Sequence, residues 1–221
     1  MKALFFDLDG TLLNTLEDIK DALNDALEEI SLPLRYSFLE SKRLIGNGAE
    51  ILMHRALGPY DDPEHFVRLK EAFLPRYLSY QGRSTVPYPG VVEMLNELKE
   101  DGWLLFIITN KPDEMAQDIV SRTLPKNLFT AVLGHKEGTP VKPNVFLIDM
   151  AVRDYNVMLP ESYFVGDSMV DVQTAKNAGI PCIFCEYGYG SLQEGEMKKD
   201  VHVARTAKEI ATLIKECSSA S

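Results

Sequence analysis

Cysteine, tryptophan and positive charge are all scarce in this chain. Its 221 residues hold three cysteines, one tryptophan and four histidines, and 23 Lys+Arg stand against 33 Asp+Glu, for a net charge of −10. Three cysteines are too few, and the wrong parity, for a disulfide scaffold, so reduced thiols are expected. The shortage of Lys and Arg, with no basic run, argues against a nucleic-acid partner, because that affinity rests mainly on neutralising phosphates. Long hydrophobic runs are missing too. No stretch approaches the ~18 apolar residues of a membrane span, and the opening Met1-Lys2-Ala3-Leu4-Phe5-Phe6 is interrupted by Asp7 and Asp9 before a signal-peptide core can form. The expectation is a cytoplasmic protein with neither membrane nor nucleic acid among its partners, with monomer and homodimer both open. The histidines His54, His65, His135 and His202 are scattered without metal-ligand spacing, as solvated positions would be.

What is present is globular in character, with 45% hydrophobic and 25% charged residues, which excludes disorder and low-complexity sequence. Short apolar runs alternate with segments of helical period, the pattern of βα units and a parallel sheet. The candidate strands are Ala3 to Phe6, Leu104 to Ile108, Ala131 to Leu133, Tyr163 to Val165 and Cys182 to Cys185. Most are apolar on both faces, as strands covered by helices on both sides should be. Residues 14–85 contain no such run. There Leu16, Ile19, Leu23, Ala26, Leu27 and Ile30 form a helical stripe after Asn14-Thr15, a plausible N-cap, and the segment ends in Val86-Pro87-Tyr88-Pro89-Gly90. The predicted architecture is an α/β, Rossmann-like, doubly wound parallel sheet made of 1–13 and 86–221, with an all-helical domain inserted at 14–85.

Three predicted strands turn abruptly polar at their C-terminal ends: Phe5-Phe6 into Asp7, Ile107-Ile108 into Thr109-Asn110, and Phe164-Val165-Gly166 into Asp167-Ser168. In an open parallel sheet such ends converge on one crevice, where ligands bind. Asp7 and Asp9, two apart in extended backbone, point to the same side. Carboxylates held so close are costly to ionise together without a cation. A hard, all-oxygen set of Asp7, Asp167 and a backbone carbonyl suits Mg²⁺.

Asp7-Leu8-Asp9-Gly10-Thr11-Leu12, Ile107-Ile108-Thr109-Asn110, Lys142-Pro143 and Gly166-Asp167-Ser168-Met169-Val170-Asp171 together resemble the four ordered motifs of the haloacid dehalogenase-like superfamily. The helical insert, with Ile45-Gly46-Asn47-Gly48-Ala49, and the later Ala175-Lys176-Asn177-Ala178-Gly179-Ile180-Pro181 resemble the subgroup containing phosphoglycolate phosphatases. The resemblance covers nearly the whole chain. It implies that Asp7 is a nucleophile forming an aspartyl-phosphate, and that Asp9 is the acid and base for leaving group and water. It also implies that Thr109, Asn110 and Lys142 bind the phosphoryl group, that Asp7, the Asp9 carbonyl and Asp167 hold Mg²⁺, and that Thr11 and Asp171 support them. The expected partner is a small anionic phosphate ester and the insert a cap over it. A phosphomutase, a pyrophosphate or nucleotide phosphatase, and a non-catalytic phosphate sensor remain alternatives, although the sensor would be expected to have lost Asp7 or Asp9.

Smaller features divide between structure and function. Cys182 and Cys185 fall on opposite faces of an apolar strand, which favours buried structural thiols over a redox pair. Gly188-Tyr189-Gly190 is accounted for by a turn after a strand. Gly46-Asn47-Gly48 is evenly balanced between a helix-helix turn and a cap loop lowered onto the substrate, and the neighbouring Lys42, Arg43 and Arg55 are candidates to meet a substrate carboxylate.

Overall fold

The computed structural model describes residues 1–192 and 200–219. In chain order the elements are β1 (Ala3–Phe6), β2 (Leu13–Asn14), α1 (Leu16–Glu29), α2 (Phe38–Lys42), α3 (Ala49–Leu57), α4 (Pro63–Tyr80), β3 (Val86–Pro87), α5 (Val91–Glu100), β4 (Leu104–Pro112), α6 (Asp113–Thr123), β5 (Ala131–His135), α7 (Phe146–Tyr155), β6 (Tyr163–Gly166), α8 (Met169–Ala178), β7 (Cys182–Cys185), β8 (Val201–Ala204) and α9 (Ala207–Ser219). Six strands form one sheet in the order β5-β4-β1-β6-β7-β8, and every pairing in it is parallel.

Strands buried on both faces explain the continuous apolar runs. On one face Leu4, Phe6, Leu105, Ile107, Val165 and Ile183 pack with apolar residues of α5, α6 and α9. On the other, Ala3, Phe5, Phe106, Ile108 and Phe164 pack with α7 and α8. The Phe5 and Phe106 rings stack at 5.5 Å, each burial contributing about 1.5–3 kcal/mol. Cys182 and Cys185 lie in these two opposite layers. Both are free thiols, and burial pushes both well above the ordinary thiol range.

Between β2 and β3 the chain makes a separate helical core. The stripe on α1 packs along α4, and α3 joins them. The two crossings are paired, Leu13 opposite Pro87 and Asn14 opposite Val86, so the insert leaves and returns side by side. Asp18 of α1 ties this junction. Its buried carboxylate accepts hydrogen bonds from the Gly82 and Ser84 N–H groups at 2.9 Å each, the Thr85 N–H at 3.1 Å and the Thr85 hydroxyl at 2.7 Å. Thr15 holds the N-cap position of α1 without a side-chain cap bond; its N–H instead donates to the Tyr189 hydroxyl at 2.7 Å. Among the described residues no helix is long and apolar enough to cross a membrane.

Candidate active site

The chain enters the sheet at β1 and winds outward on both sides, to β4 and β5 one way and to β6, β7 and β8 the other. The ends of β1, β4 and β6 therefore flank a topological switch point. Asp7 stays in register beyond β1, its N–H donating to the Val165 carbonyl at 2.9 Å. The chain then turns sharply, with Leu12 and Leu13 N–H groups both donating to the Leu8 carbonyl at 3.0 Å. Gly10 makes that turn with φ +90, and a β-carbon there would lie 2.4 Å from Asp167 Oδ2. Only glycine satisfies both demands.

Lys142, from the loop before α7, sits between two carboxylates: its ammonium lies 2.9 Å from Asp7 Oδ1 and 2.7 Å from Asp171 Oδ1. Asp171 is fixed from the other side by the Ser168 N–H at 3.0 Å and the Ser168 hydroxyl at 2.7 Å. Asp167 accepts from the Thr11 hydroxyl and from the Tyr189 N–H, each at 2.7 Å. The Asn110 carboxamide pairs with the Lys142 backbone, donating to its carbonyl at 3.1 Å and accepting from its N–H at 2.7 Å. One of its two side-chain N–H donors is committed by that pairing. Thr109 Oγ1 accepts from the Lys111 N–H at 3.2 Å. Since β4 runs on through Pro112 and α6 begins only at Asp113, neither Thr109 nor Asn110 caps that helix.

Asp7, Asp167 and Asp171 are all buried, and one carboxylate oxygen from each lies within 4.8 Å of the others. Three carboxylates against one ammonium leave the cluster two positive charges short. The electrostatics register that deficit. Burial, with Asp171 and Asp167 adding to it and Lys142 opposing it, pushes the Asp7 carboxyl up to about 8. Burial and Asp171 push Asp167 up to about 6, against the hydrogen bonds it accepts. Burial pulls Lys142 down, but Asp171 and Asp7 outweigh it and hold the ammonium above the ordinary lysine range. An all-oxygen set lacking two charges fits a hard divalent cation such as Mg²⁺.

Asp9 is half-buried, on the side facing the insert. There the strand ends and the insert enclose a cavity of about 50 Å³, lined by Asp7, Asp9 and Thr109 below and by Ile19, Leu52 and Phe73 above. Gly46 and Gly48 also line it, so that loop is both a helix-helix connection and part of the cavity wall. Asn47 between them accepts a hydrogen bond from Arg55 at 2.7 Å, and Arg55 also donates to the Leu44 carbonyl at 3.2 Å. Arg55 thus holds the loop instead of facing a ligand, whereas Lys42 and Arg43 line a second cavity beside Asp167, Ser168 and Tyr189.

Residues that the sequence reading did not assign to the site also belong here. Tyr189, with Gly188, closes on Asp167, and no local signal marks that long-range contact. Lys111 and Tyr77 meet across the boundary between sheet and insert. A longer β4 would have brought Lys111 into view, since it directly follows Thr109-Asn110.

The comparisons with known proteins bear on this constellation. The model of the haloacid dehalogenase-like hydrolase family matches residues 4–185. The chain belongs to that family. It is 35% identical over 195 residues to the phosphoglycolate phosphatase of Mannheimia succiniciproducens, covering 85% of this chain and 87% of the relative. With the phosphoglycolate phosphatase of Caulobacter vibrioides it shares 34% identity over 187 residues, covering 83% and 78%. Among solved structures, a predicted phosphoglycolate phosphatase from Haemophilus somnus superposes with a TM-score of 0.87 at 29% identity, covering 96% of this chain and 97% of that one.

Proposed function

We propose that this hydrolase is a Mg²⁺-dependent phosphatase that cleaves a small phosphate monoester, phosphoglycolate or a close analogue, through an aspartyl-phosphate on Asp7. The observation that carries the reading is the buried Asp7 carboxylate paired with Lys142 and clustered with Asp167, with Asp9 beside it on the cavity side. The names of the relatives at 34–35% identity support the substrate class.

In this reading Asp7 attacks phosphorus, a carboxylate O–P bond forms and the ester P–O bond breaks. Asp9 gives its proton to the departing oxygen. A water then attacks the phosphorus of the aspartyl-phosphate while Asp9 takes its proton, and the Asp7–phosphorus bond breaks to release inorganic phosphate. Lys142 neutralises charge on the transferred group, and Thr109 with adjacent main-chain N–H groups cradles its oxygens. Asp171 keeps Lys142 in place. Asp7, Asp167 and the Asp9 carbonyl are the residues that would hold Mg²⁺, with Thr11 orienting Asp167. Bound there, the ion would supply the missing positive charge and screen the phosphoryl oxygens, the kind of positioning and neutralisation on which phosphoryl transfer depends. The helical insert acts as a cap that excludes water and selects the leaving group.

The test is phosphate release from a panel of phosphoglycolate, sugar phosphates, nucleotides and pyrophosphate, with Mg²⁺ and with EDTA. Release is expected from phosphoglycolate with Mg²⁺ and at least ~1000-fold less in Asp7→Asn, which lacks the nucleophile. Equal rates in EDTA, or in Asp7→Asn, would overturn the mechanism. Turnover that required a bisphosphate activator would favour a mutase instead.

A further inference from the structure

We propose that Lys111 selects the substrate, its ammonium pairing with a carboxylate on the leaving group beside the ester oxygen that Asp9 protonates. The inference rests on the phosphatase reading and names the residue that would make a carboxylate ester the preferred substrate.

Lys111 lies two residues beyond Thr109 on β4, with its side chain buried. It donates to the hydroxyl of Tyr77 on α4 and lies 3.4 Å from both carboxylate oxygens of Asp9. A closed ammonium–carboxylate hydrogen bond spans ~2.7–2.9 Å, so Asp9 attracts Lys111 without clamping it. An ammonium has three donors: one goes to Tyr77, and the long bonds to Asp9 engage the others weakly. Lys142 differs sharply, engaged by two carboxylates at 2.7 and 2.9 Å.

The location decides the ligand chemistry. Among the described residues that line the cavity between the strand ends and the insert, Lys111 is the one basic side chain. The roof is largely aliphatic and aromatic, and an anion entering such a space loses hydration that only a local cation can replace. At about 50 Å³ the cavity has room for roughly four water-sized groups, which suits a leaving group of a few heavy atoms on this side of Asp9. A one- or two-carbon acid meets both conditions. The other candidate cations are placed differently: Arg55 is bound to the loop, and Lys42 and Arg43 line the second cavity, which reaches Asp7 and Asp9 from the Asp167 side and not from beneath the apolar roof.

The experiment compares kcat/KM for phosphoglycolate and for its uncharged analogue 2-hydroxyethyl phosphate, with Mg²⁺, in the wild type, Lys111→Met and Tyr77→Phe. The wild type is expected to favour the carboxylate ester. Lys111→Met should reduce that ratio by about 30-fold or more, as loss of one partner of a buried charge pair does. Tyr77→Phe, which keeps the charge and the ring, should reduce it less. A wild-type ratio near one overturns the inference while leaving the phosphatase reading intact. So does a Lys111→Met defect equal on both esters, which would mean that Lys111 serves only Asp9. If no monoester is turned over, the phosphatase reading fails on its own. The selectivity is then read as phosphoglycolate affinity with Mg²⁺ in Asp7→Asn, where a second change, Lys111→Met, must weaken binding for the inference to survive.

Discussion

At the strand ends charged side chains are buried and joined in one network of directional contacts. Lys142 holds Asp7 and Asp171, Asp171 is capped by Ser168, and Asp167 is held by Thr11 and Tyr189. The helical insert packs around an apolar core, and of its buried polar side chains, Thr15, Asp18, Asn24, Ser41, Gln81 and Thr85, Asp18 alone is charged. Two of its polar anchors sit at the junction: Asp18, which ties α1 to the returning chain, and Gln81, which donates to Asp118 at 2.6 Å. One region is fixed by directional contacts that tolerate little displacement, the other by area burial that tolerates more. Changes in the first should therefore act on the chemical step, and changes in the second on which leaving group is accepted.

The sharpest way to break the comparison is a single methyl group in the rigid region. A β-carbon at Gly188 would lie 2.2 Å from Asp167 Cβ and 2.4 Å from the Gly10 carbonyl oxygen, and both neighbours belong to fixed parts of the site. Gly188→Ala should displace Asp167 and lower kcat/KM by about 100-fold, the penalty that misplacement near 1 Å can carry. Mg²⁺ should be needed at correspondingly higher concentration for half-maximal rate. A variant with wild-type Mg²⁺ dependence would show that the crevice is more pliant than its contacts indicate.

The same contrast explains what was legible in the sequence. The central strands announce themselves because they are apolar on both faces, and the motifs stand out because polarity switches on at strand ends. By contrast β8 was missed: Val201-His202-Val203-Ala204 sits at the sheet edge, half-buried at its first three positions. The strand pair β2 and β3 was missed because two residues each carry no periodicity. Arg55 read as facing a ligand because its bond to Asn47 depends on the path of the loop between them. Lys111 stayed hidden for a similar reason, since the tyrosine it meets lies 34 residues away, on a helix of the insert.

A second, intermediate effect concerns charge. Burial and neighbouring carboxylates raise Asp7 to about 8 and Asp167 to about 6 from an ordinary 3.8. Between those values and 3.8 the metal-free folded protein binds more protons than the unfolded chain. Its stability contribution is present at low pH and is lost as pH rises toward 8. Mg²⁺ takes the place of those protons, so its stabilising effect should grow with pH. Thermal melts with and without Mg²⁺ should show an increment larger by a few degrees at pH 8 than at pH 5.5. An increment that shrinks with pH would contradict the assignment of these carboxylates to the cation, whereas the insert's core offers no such titration.

The smallest effect is expected in the insert. Arg55→Met removes the hydrogen bonds to Asn47 and to the Leu44 carbonyl but keeps most of the side chain's apolar bulk. The loop carrying Gly46 and Gly48 would then be held less firmly against the cavity. Loss of partly exposed bonds of this kind is worth about 0.5–1.5 kcal/mol each, so KM should rise about two- to tenfold while kcat stays within about twofold. Arg55→Lys, with a single ammonium that cannot bridge both acceptors in the same way, should fall between the two. A fall in kcat at constant KM would place Arg55 with the rigid crevice, and the division of labour between the two regions would have to be redrawn.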